Sequence, residues 1–254
     1  MPDTVRVEFP REGIAILILD RPERRNALSI ALLGALVHEL EALHARGAAR
    51  VVILRGEGPV FSAGLDLHEA ADDALVEESA RHVSAALHAL RRSPLISIAA
   101  VQGGAYAGGA GLLAACDMAV GAADARVGFP EARRGLLPAL VTDVLRVKVR
   151  AGDLADLFLV GDPIDALRAR EIGLFQRVVP AERVLPEALA MAASILAGGP
   201  HTIERTKVIL RSAYARPEGA EASPIAEHLT GRRSPEAIEG LRAFREKRPP
   251  AWGG

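Results

Sequence analysis

The sequence predicts an α/β fold, with alternating strands and helices followed by a helical C-terminal piece. Continuous apolar runs of strand length, such as Ile14 to Leu19, Val51 to Leu54 and Leu95 to Val101, alternate with stretches at helical spacing, such as Leu33, Leu36, Leu40 and Leu43. The composition, 50% hydrophobic and 25% charged, is that of an ordinary soluble globular chain. Aromatics make up only 4%, so Ala, Val, Leu and Ile must build the core. No fixed-period repeat points to a solenoid.

In order, Val5 to Phe9 alternates like a half-buried strand, and Pro10 to Gly13 reads as a turn. Ile14 to Leu19 reads as a strand buried on both faces, and Asp20 to Asn26 as a charged loop. Ser29 is placed to cap a helix that Gly47 closes. Val51 to Leu54 is a buried strand, and the small-residue loop Phe61 to Leu67 follows it. Residues 68–92 read as polar and helical, with apolar positions at Leu75, Val83, Leu87 and Leu90. Leu95 to Val101 is the next strand, and Leu112 to Ala115 a tightly packed helix. Met118 to Val120 and Arg126 to Phe129 are short strands, and Pro130 to Pro138 is a loop carrying a carboxylate. Asp165 caps a short helix ending at Gly173, then Gln176 to Val179 is strand-like and Pro186 to Leu196 helical. Gly198-Gly199-Pro200 marks a boundary between residues 1–199 and 200–254. Beyond it lie helical stretches over 200–215, 221–230 and 235–246, the last opened by Ser234-Pro235-Glu236.

The net charge of -1 argues against a nucleic-acid surface covering most of the protein. The single cysteine, Cys116, cannot form an intrachain disulfide and reads as a small core residue. No signal peptide or membrane-length apolar run is visible, and the expected compartment is the cytoplasm. None of the seven histidines forms a metal pair with a carboxylate at ligand spacing, so no metal is expected.

The stretch most in need of explanation is Val101 to Leu112, with five glycines between 103 and 111. Such a run costs chain entropy, and it suits a sharp turn, close packing or approach to a ligand. A strand that ends in glycines and opens a helix aims free N–H groups at one point, a donor site for a phosphate or a developing oxyanion. The plainer alternative is that the glycines only let a helix pack closely on a sheet. Gly109-Ala110-Gly111-Leu112-Leu113-Ala114 fits a dinucleotide fingerprint in spacing, with Glu131 twenty residues beyond Gly111. Those glycines, however, do not follow the strand at once. No Walker triplet or Gly-x-Ser-x-Gly elbow is present. What remains is two strand-then-glycine turns, around Gly64 and Gly108, and the carboxylate Glu131. Backbone donors and one base are a minimal set for enolate chemistry. Alternatively, Glu131 is a surface carboxylate that pairs with Arg133 or Arg134.

These segments resemble the crotonase superfamily, the enoyl-CoA hydratase/isomerase proteins. Phe61-Ser62-Ala63-Gly64-Leu65-Asp66-Leu67 is similar to its first oxyanion-loop signature. Val101-Gln102-Gly103 through Gly108-Gly109, then Cys116-Asp117, is similar to the second. Arg21 to Leu28 resembles the coenzyme A loop, Phe129-Pro130-Glu131 with Arg134 to Pro138 the catalytic-acid segment, and Ala243 to Pro250 the family's ending. The likeness runs from about Arg21 to the C-terminus. It implies a spiral of ββα turns with a C-terminal helical trimerisation region, and a homotrimer or hexamer. It also implies an acyl-CoA thioester as partner, with coenzyme A entering as part of the substrate and no separate cofactor. The N–H groups of Leu65 and Gly108 would form the oxyanion hole and Glu131 the catalytic acid/base. Ala63 would lie against the adenine, Arg24 and Arg25 would border the phosphates, and Gly64, Asp66 and Leu67 would complete the binding loop.

The sequence departs from the hydratases at Gly111, where the resemblance implies a second catalytic glutamate. Hydration as usually drawn needs two carboxylates around a water, whereas moving a double bond needs one base. The expectation is therefore an enoyl-CoA isomerase or related enolate enzyme with Glu131 as single acid/base. The alternatives are a hydratase that draws a second acid from residues 66–92, an acyl-CoA-binding protein with little turnover and, remotely, a dinucleotide-dependent oxidoreductase.

Overall fold

The computed structural model of the chain describes residues 5–213, 224–248 and 251. Strands β1 (Val5–Arg11) and β2 (Gly13–Leu19) form an antiparallel hairpin with Val5 opposite Leu19. The turn expected over Pro10 to Gly13 is tighter: β1 runs on to Arg11 through an irregularity after Glu8, and Gly13 supplies a positive φ of 78°. After a short 3-10 turn at Pro22–Arg24 comes α1 (Ile30–Ala45), whose first turn is capped by Ser29 Oγ accepting from Leu32 N–H. Strand β3 (Ala49–Gly56) returns parallel to β2, with Ile16 beside Ile53.

The helical stretch expected over 68–92 is divided between α2 (Leu67–Ala70) and α3 (Val76–Arg92). The side chains of Asp66 and Asp72 accept from His68 N–H and Ala74 N–H, local bonds that favour caps and turns over a continuous helix. Strand β4 (Ile96–Val101) is buried throughout. The glycine stretch then holds a short strand, β5 (Gly104–Tyr106), and α4 (Gly108–Ala115), every residue of which is buried. Strands β6 (Met118–Ala122) and β7 (Arg126–Gly128) lead to a 3-10 turn at Ala132–Arg134 and then to α5 (Ala139–Leu145) and α6 (Ala151–Ala155). A π-helical turn at Asp156–Val160 continues α6. Then follow β8 (Ile164–Asp165), α7 (Ala166–Glu171), β9 (Arg177–Val179), α8 (Val184–Leu196), α9 (Pro200–Ala213), α10 (Pro224–Arg232) and α11 (Pro235–Arg245). The expectations for residues 214–215, 221–223 and Pro249-Pro250 lie outside the described residues.

The main sheet has the order β1-β2-β3-β4-β6-β9, parallel from β2 onward. Its central strands are covered on both faces, which is why they are near-continuous apolar runs. A second sheet, β5-β7-β8, stands at the end of β4. The chain therefore leaves the large sheet at Val101 and enters the small one at Gly104, and this change of sheet builds the site. At Gly103, φ is +60° and a Cβ would lie 2.0 Å from the Pro59 carbonyl oxygen, so no other residue fits the corner. Cys116 is fully buried, as expected of a small core residue, and burial pushes its thiol up to about 12, away from the thiolate form.

Candidate active site

Two loops meet without side chains between them. Phe61 N–H donates to the carbonyls of Gln102 and Gly104, Ser62 N–H to Gly104, and Tyr106 N–H to Ser62. A Cβ at Gly64 would meet the Tyr106 carbonyl oxygen at 2.7 Å, and one at Gly109 would meet Ser62 at 2.7 Å. Ser62 is spent on structure: its hydroxyl donates to the Asn26 carbonyl at 2.8 Å and accepts from Gly64 N–H. Asn26, fully buried with φ +53°, donates to the carbonyls of Glu57 and Val60 and accepts from Arg21 N–H. It ties the 21–28 loop to the segment entering the 61–66 loop.

Peptide geometry gives the direction of two N–H groups. Leu28 N–H donates to the Gly64 carbonyl, and Asp66 N–H donates back to Leu28. Across the trans peptide, the Leu65 N–H points opposite to the Gly64 carbonyl, away from Leu28. Likewise the Ala107 carbonyl accepts from Gly111 N–H inside α4, so the Gly108 N–H points out of the helix start. Ala107 makes this turn at φ +48° and ψ -121°, a conformation that costs a non-glycine residue about 1–3 kcal/mol. Neither N–H has an acceptor among the described residues, and both residues line one cavity of about 350 Å³.

That cavity brings together most of the sequence-predicted residues. Arg24, Arg25, Ala63, Leu65, Asp66, Gly108 and Glu131 all line it. Gly64 is not among the residues that line it; it packs against the Tyr106 carbonyl behind Ala63 and Leu65, which do. Leu67 opens α2, and its side chain is outside the described residues. Arg24 and Arg25 are exposed at one end, where Arg24 Nη1 donates to His68 Nε2 at 2.9 Å. Asp66 has both carboxylate oxygens engaged, one by Arg21 Nη1 at 3.0 Å and the other by His68 N–H.

Glu131 is different. It follows Phe129, which is held by an edge-to-face contact with Phe158 at 5.4 Å, and it precedes the 3-10 turn. Its carbonyl accepts from Arg134 N–H and Leu136 N–H, which fixes the backbone. Its side-chain Oε2 is buried and has no hydrogen-bond partner. The surface ion pair with Arg133 or Arg134 is not formed. Arg133 pairs with Asp162 at 2.7 Å, and the Arg134 guanidinium stacks 4.5 Å over the Phe244 ring. Burial pushes the Glu131 carboxyl up to about 7, against the opposing effects of its own N–H and of Arg134. A carboxyl near neutrality has the pKa that general acid–base chemistry at pH 7 calls for.

Three carboxylates of residues 66–92, the segment expected to offer a second acid, are engaged elsewhere. Glu69 accepts from Ile30 N–H at the start of α1, Asp72 from Ala74 N–H, and Glu77 pairs with Arg81. Of the segment after Asp66, His68, Ala70 and Val83 line the cavity. Nor is there space at Gly111. A Cβ there would stand 2.7 Å from Val141 Cγ1 and 3.3 Å from Leu87 Cδ2. Val141 also lines the cavity, so a valine methyl from α5 takes up the room a side chain at 111 would need. The dinucleotide fingerprint fails on the same grounds, because Gly109 and Gly111 lie inside α4 against Ser62 and Val141, not in a phosphate turn.

Sequence reasoning missed the roof of the cavity. His228 and Arg232 of α10 and Leu241 and Phe244 of α11 line it. These helices seat on the 131–137 loop through glycines: a Cβ at Gly240 would be 2.2 Å from the Arg134 carbonyl oxygen, and one at Gly231 would be 2.7 Å from Leu137. The two mid-helix glycines were the available signal. Leu241 and Phe244, apolar positions of the C-terminal helical piece, face this cavity in part. Burial and then Arg232 push His228 down to about 4, so it is neutral at pH 7.

Against this geometry, the family model for enoyl-CoA hydratase/isomerase matches residues 10–254. The chain belongs to that family. Enoyl-CoA hydratase EchA19 of Mycobacterium tuberculosis is 36% identical over 251 residues, covering 94% of this chain and 93% of its own. The crystal structure of an enoyl-CoA hydratase from Mycobacterium avium superposes with a TM-score of 0.85 at 31% identity, over 99% of this chain and all of that one. A monofunctional enoyl CoA isomerase from M. smegmatis superposes with a TM-score of 0.73 at 29% identity, over 89% and 99%. The crotonase-type α/β fold is thus the one these relatives share, and hydratases and isomerases both stand among them. Among the described residues of this family member, no helix is long and apolar enough to cross a membrane, and no cluster of His, Cys, Asp and Glu is arranged to hold a metal.

Proposed function

We propose that the protein is an enoyl-CoA isomerase, or a closely related enolate-forming enzyme, with Glu131 as its single acid/base. The observation that carries this is the state of Glu131. It is the cavity-lining carboxylate whose buried oxygen has no partner, while Asp66 is fully engaged and Glu23 is exposed. Its carboxylate removes a proton from the carbon next to the thioester of a 3-enoyl-CoA. The electron pair delocalises onto the thioester oxygen, which accepts from the N–H groups of Leu65 and Gly108. Glu131 then returns the proton two carbons along, and the double bond moves into conjugation with the thioester. Protein dipoles fixed in advance stabilise such an oxyanion without reorganising during the step. Arg24 and Arg25 border the coenzyme A phosphates and Ala63 the adenine, with coenzyme A entering only as part of the substrate. The single carboxylate and the valine beside Gly111 favour isomerisation over hydration, which needs a second group to hold and protonate water.

The deciding experiment is turnover of a 3-enoyl-CoA by the unaltered protein and by Glu131→Gln. The expected result is a loss of about 10²- to 10⁴-fold in kcat with acyl-CoA affinity nearly intact. Thioester binding without turnover, unaffected by Glu131→Gln, would make the cavity a binding site alone. Substantial hydration of a 2-enoyl-CoA by the unaltered protein would overturn the one-base reading.

A further inference from the structure

Two opposite charges face the same cavity without meeting. Glu131 Oε2 and Arg232 Nη1 are both buried, and neither has a hydrogen-bond partner. A desolvated guanidinium nitrogen left unpaired is costly, so a native site that keeps one invites a polar ligand. No carboxylate among the described residues forms an ion pair with Arg232, although Asp73 supports its charge from the turn before α3. The guanidinium is nevertheless held in place, because its Nη2 donates to the Ala70 carbonyl. The neighbouring His228 is buried and neutral at pH 7, so it adds no competing charge.

Position says what kind of ligand. Arg232 ends α10, which packs on α3 and α5, the helices that supply Val83 and Val141 to the cavity wall. Arg24 and Arg25 belong to the loop after β2 and are exposed. The second cation is held at Ala70, at the end of α2, while Arg24 meets His68 near the start of that helix; it therefore stands between the exposed arginines and the apolar wall that Val83 and Val141 supply.

We propose that Arg232 is a specificity-determining residue that receives a carboxylate at the far end of the acyl chain, so that the site takes coenzyme A thioesters of dicarboxylic acids. This rests on the reading of the cavity as an acyl-CoA site. A planar guanidinium suits a carboxylate, and the charge-assisted bond it makes is stronger than a neutral one. A plain alkyl chain would leave Nη1 dry and unpaired. A site built to bond a polar group rejects the analogue that lacks it far more strongly than an apolar pocket rejects an added methylene.

The test compares saturated thioesters of matched length, which bind but have no double bond to move. Adipoyl-CoA is set against hexanoyl-CoA, glutaryl-CoA against pentanoyl-CoA, and suberoyl-CoA against octanoyl-CoA, each titrated calorimetrically into the full-length protein. The dicarboxylic member of at least one pair is expected to bind roughly 10- to 100-fold more tightly. In Arg232→Met that ratio should fall towards one, and in Arg232→Lys part of it should remain. Equal binding within every pair by the unaltered protein would overturn the proposal. Equal weakening of both members in Arg232→Met would also overturn it, since the guanidinium would then serve the coenzyme A moiety or the packing of α10. Failure of every thioester to bind is a separate result, and it would sink the acyl-CoA reading itself. Should Arg232→Met not fold, the ratios in the unaltered protein still decide.

Discussion

Gly111→Ala adds one methyl group to the interior of α4. In an open helix this exchange stabilises by about 1 kcal/mol, because glycine loses more chain entropy on folding. Here the new Cβ would lie 2.7 Å from Val141 Cγ1 and 3.3 Å from Leu87 Cδ2. Overpacking of that kind costs about 1–3 kcal/mol. The clash outweighs the propensity, and Gly111→Ala should destabilise by a net amount of about 1 kcal/mol. Val141→Ala deletes the methyl that is met, and by itself costs about 1–3 kcal/mol for the lost burial and the space left behind. In that background Gly111→Ala should change sign and stabilise by up to about 1 kcal/mol, since the propensity gain remains and the closest contact is gone. The coupling energy is then about 1–3 kcal/mol. Urea unfolding of the four proteins measures it. Melting temperature gives a second reading, at roughly 2–4 °C per kcal/mol for a chain of this size. If the two changes add within about 0.5 kcal/mol, Val141 does not fill the space beside Gly111 and the reasoning fails. The same contact bears on chemistry. The resemblance to the hydratases implies their other glutamate at this position, so Gly111→Glu is expected to raise water addition to a 2-enoyl-CoA only when combined with Val141→Ala.

Glu131 should also govern pH dependence. Its carboxyl titrates at about 7 in the folded protein against 4.5 ordinarily, so the native state holds its proton more tightly than the unfolded chain. The stability this confers is full below about pH 4.5 and is lost as pH rises through about 7, which makes the unaltered protein lose at most about 3 kcal/mol relative to Glu131→Gln over that window. Denaturant titrations at several pH values measure this, and parallel curves would refute the burial argument. The kcat/KM for a 3-enoyl-CoA should rise through about pH 7 as the base is freed. Gly108→Pro removes one free N–H at the first position of α4 and, where circular dichroism shows an intact fold, should cost about 3–4 kcal/mol of transition-state stabilisation, read as a fall in kcat; unchanged turnover would remove Gly108 from the oxyanion hole. Exposed Ile209 and Leu210 on α9 and Ile238 on α11 should be covered in a homotrimer or hexamer. A monomer mass by light scattering at micromolar concentration would count against it.

The alternation of strands and helices was legible in the sequence because its cause is local. A parallel strand covered on both faces has to be a continuous apolar run, as Ile14 to Leu19 is. Helix starts at Ser29, Asp165 and Ser234 could be read because each cap bonds an N–H three residues on in the same chain. The turn at Gly64, whose φ of +90° favours glycine, and the carboxylate at Glu131 were visible for the same reason, as residue types that local conformation or chemistry demands. The small sheet was not, since strands as short as β5 and β8 carry no measurable period. Nor was the state of Glu131. Its free oxygen depends on Arg133 turning to Asp162 and Arg134 to Phe244, partners up to about a hundred residues away in the chain. The filling of the space beside Gly111 by Val141, and the placing of Arg232 across the cavity from another part of the chain, are likewise decided by helix packing. Residue type and local spacing identify the groups able to do chemistry, but burial and pairing are properties of the assembled chain, and these set which carboxylate is left to act.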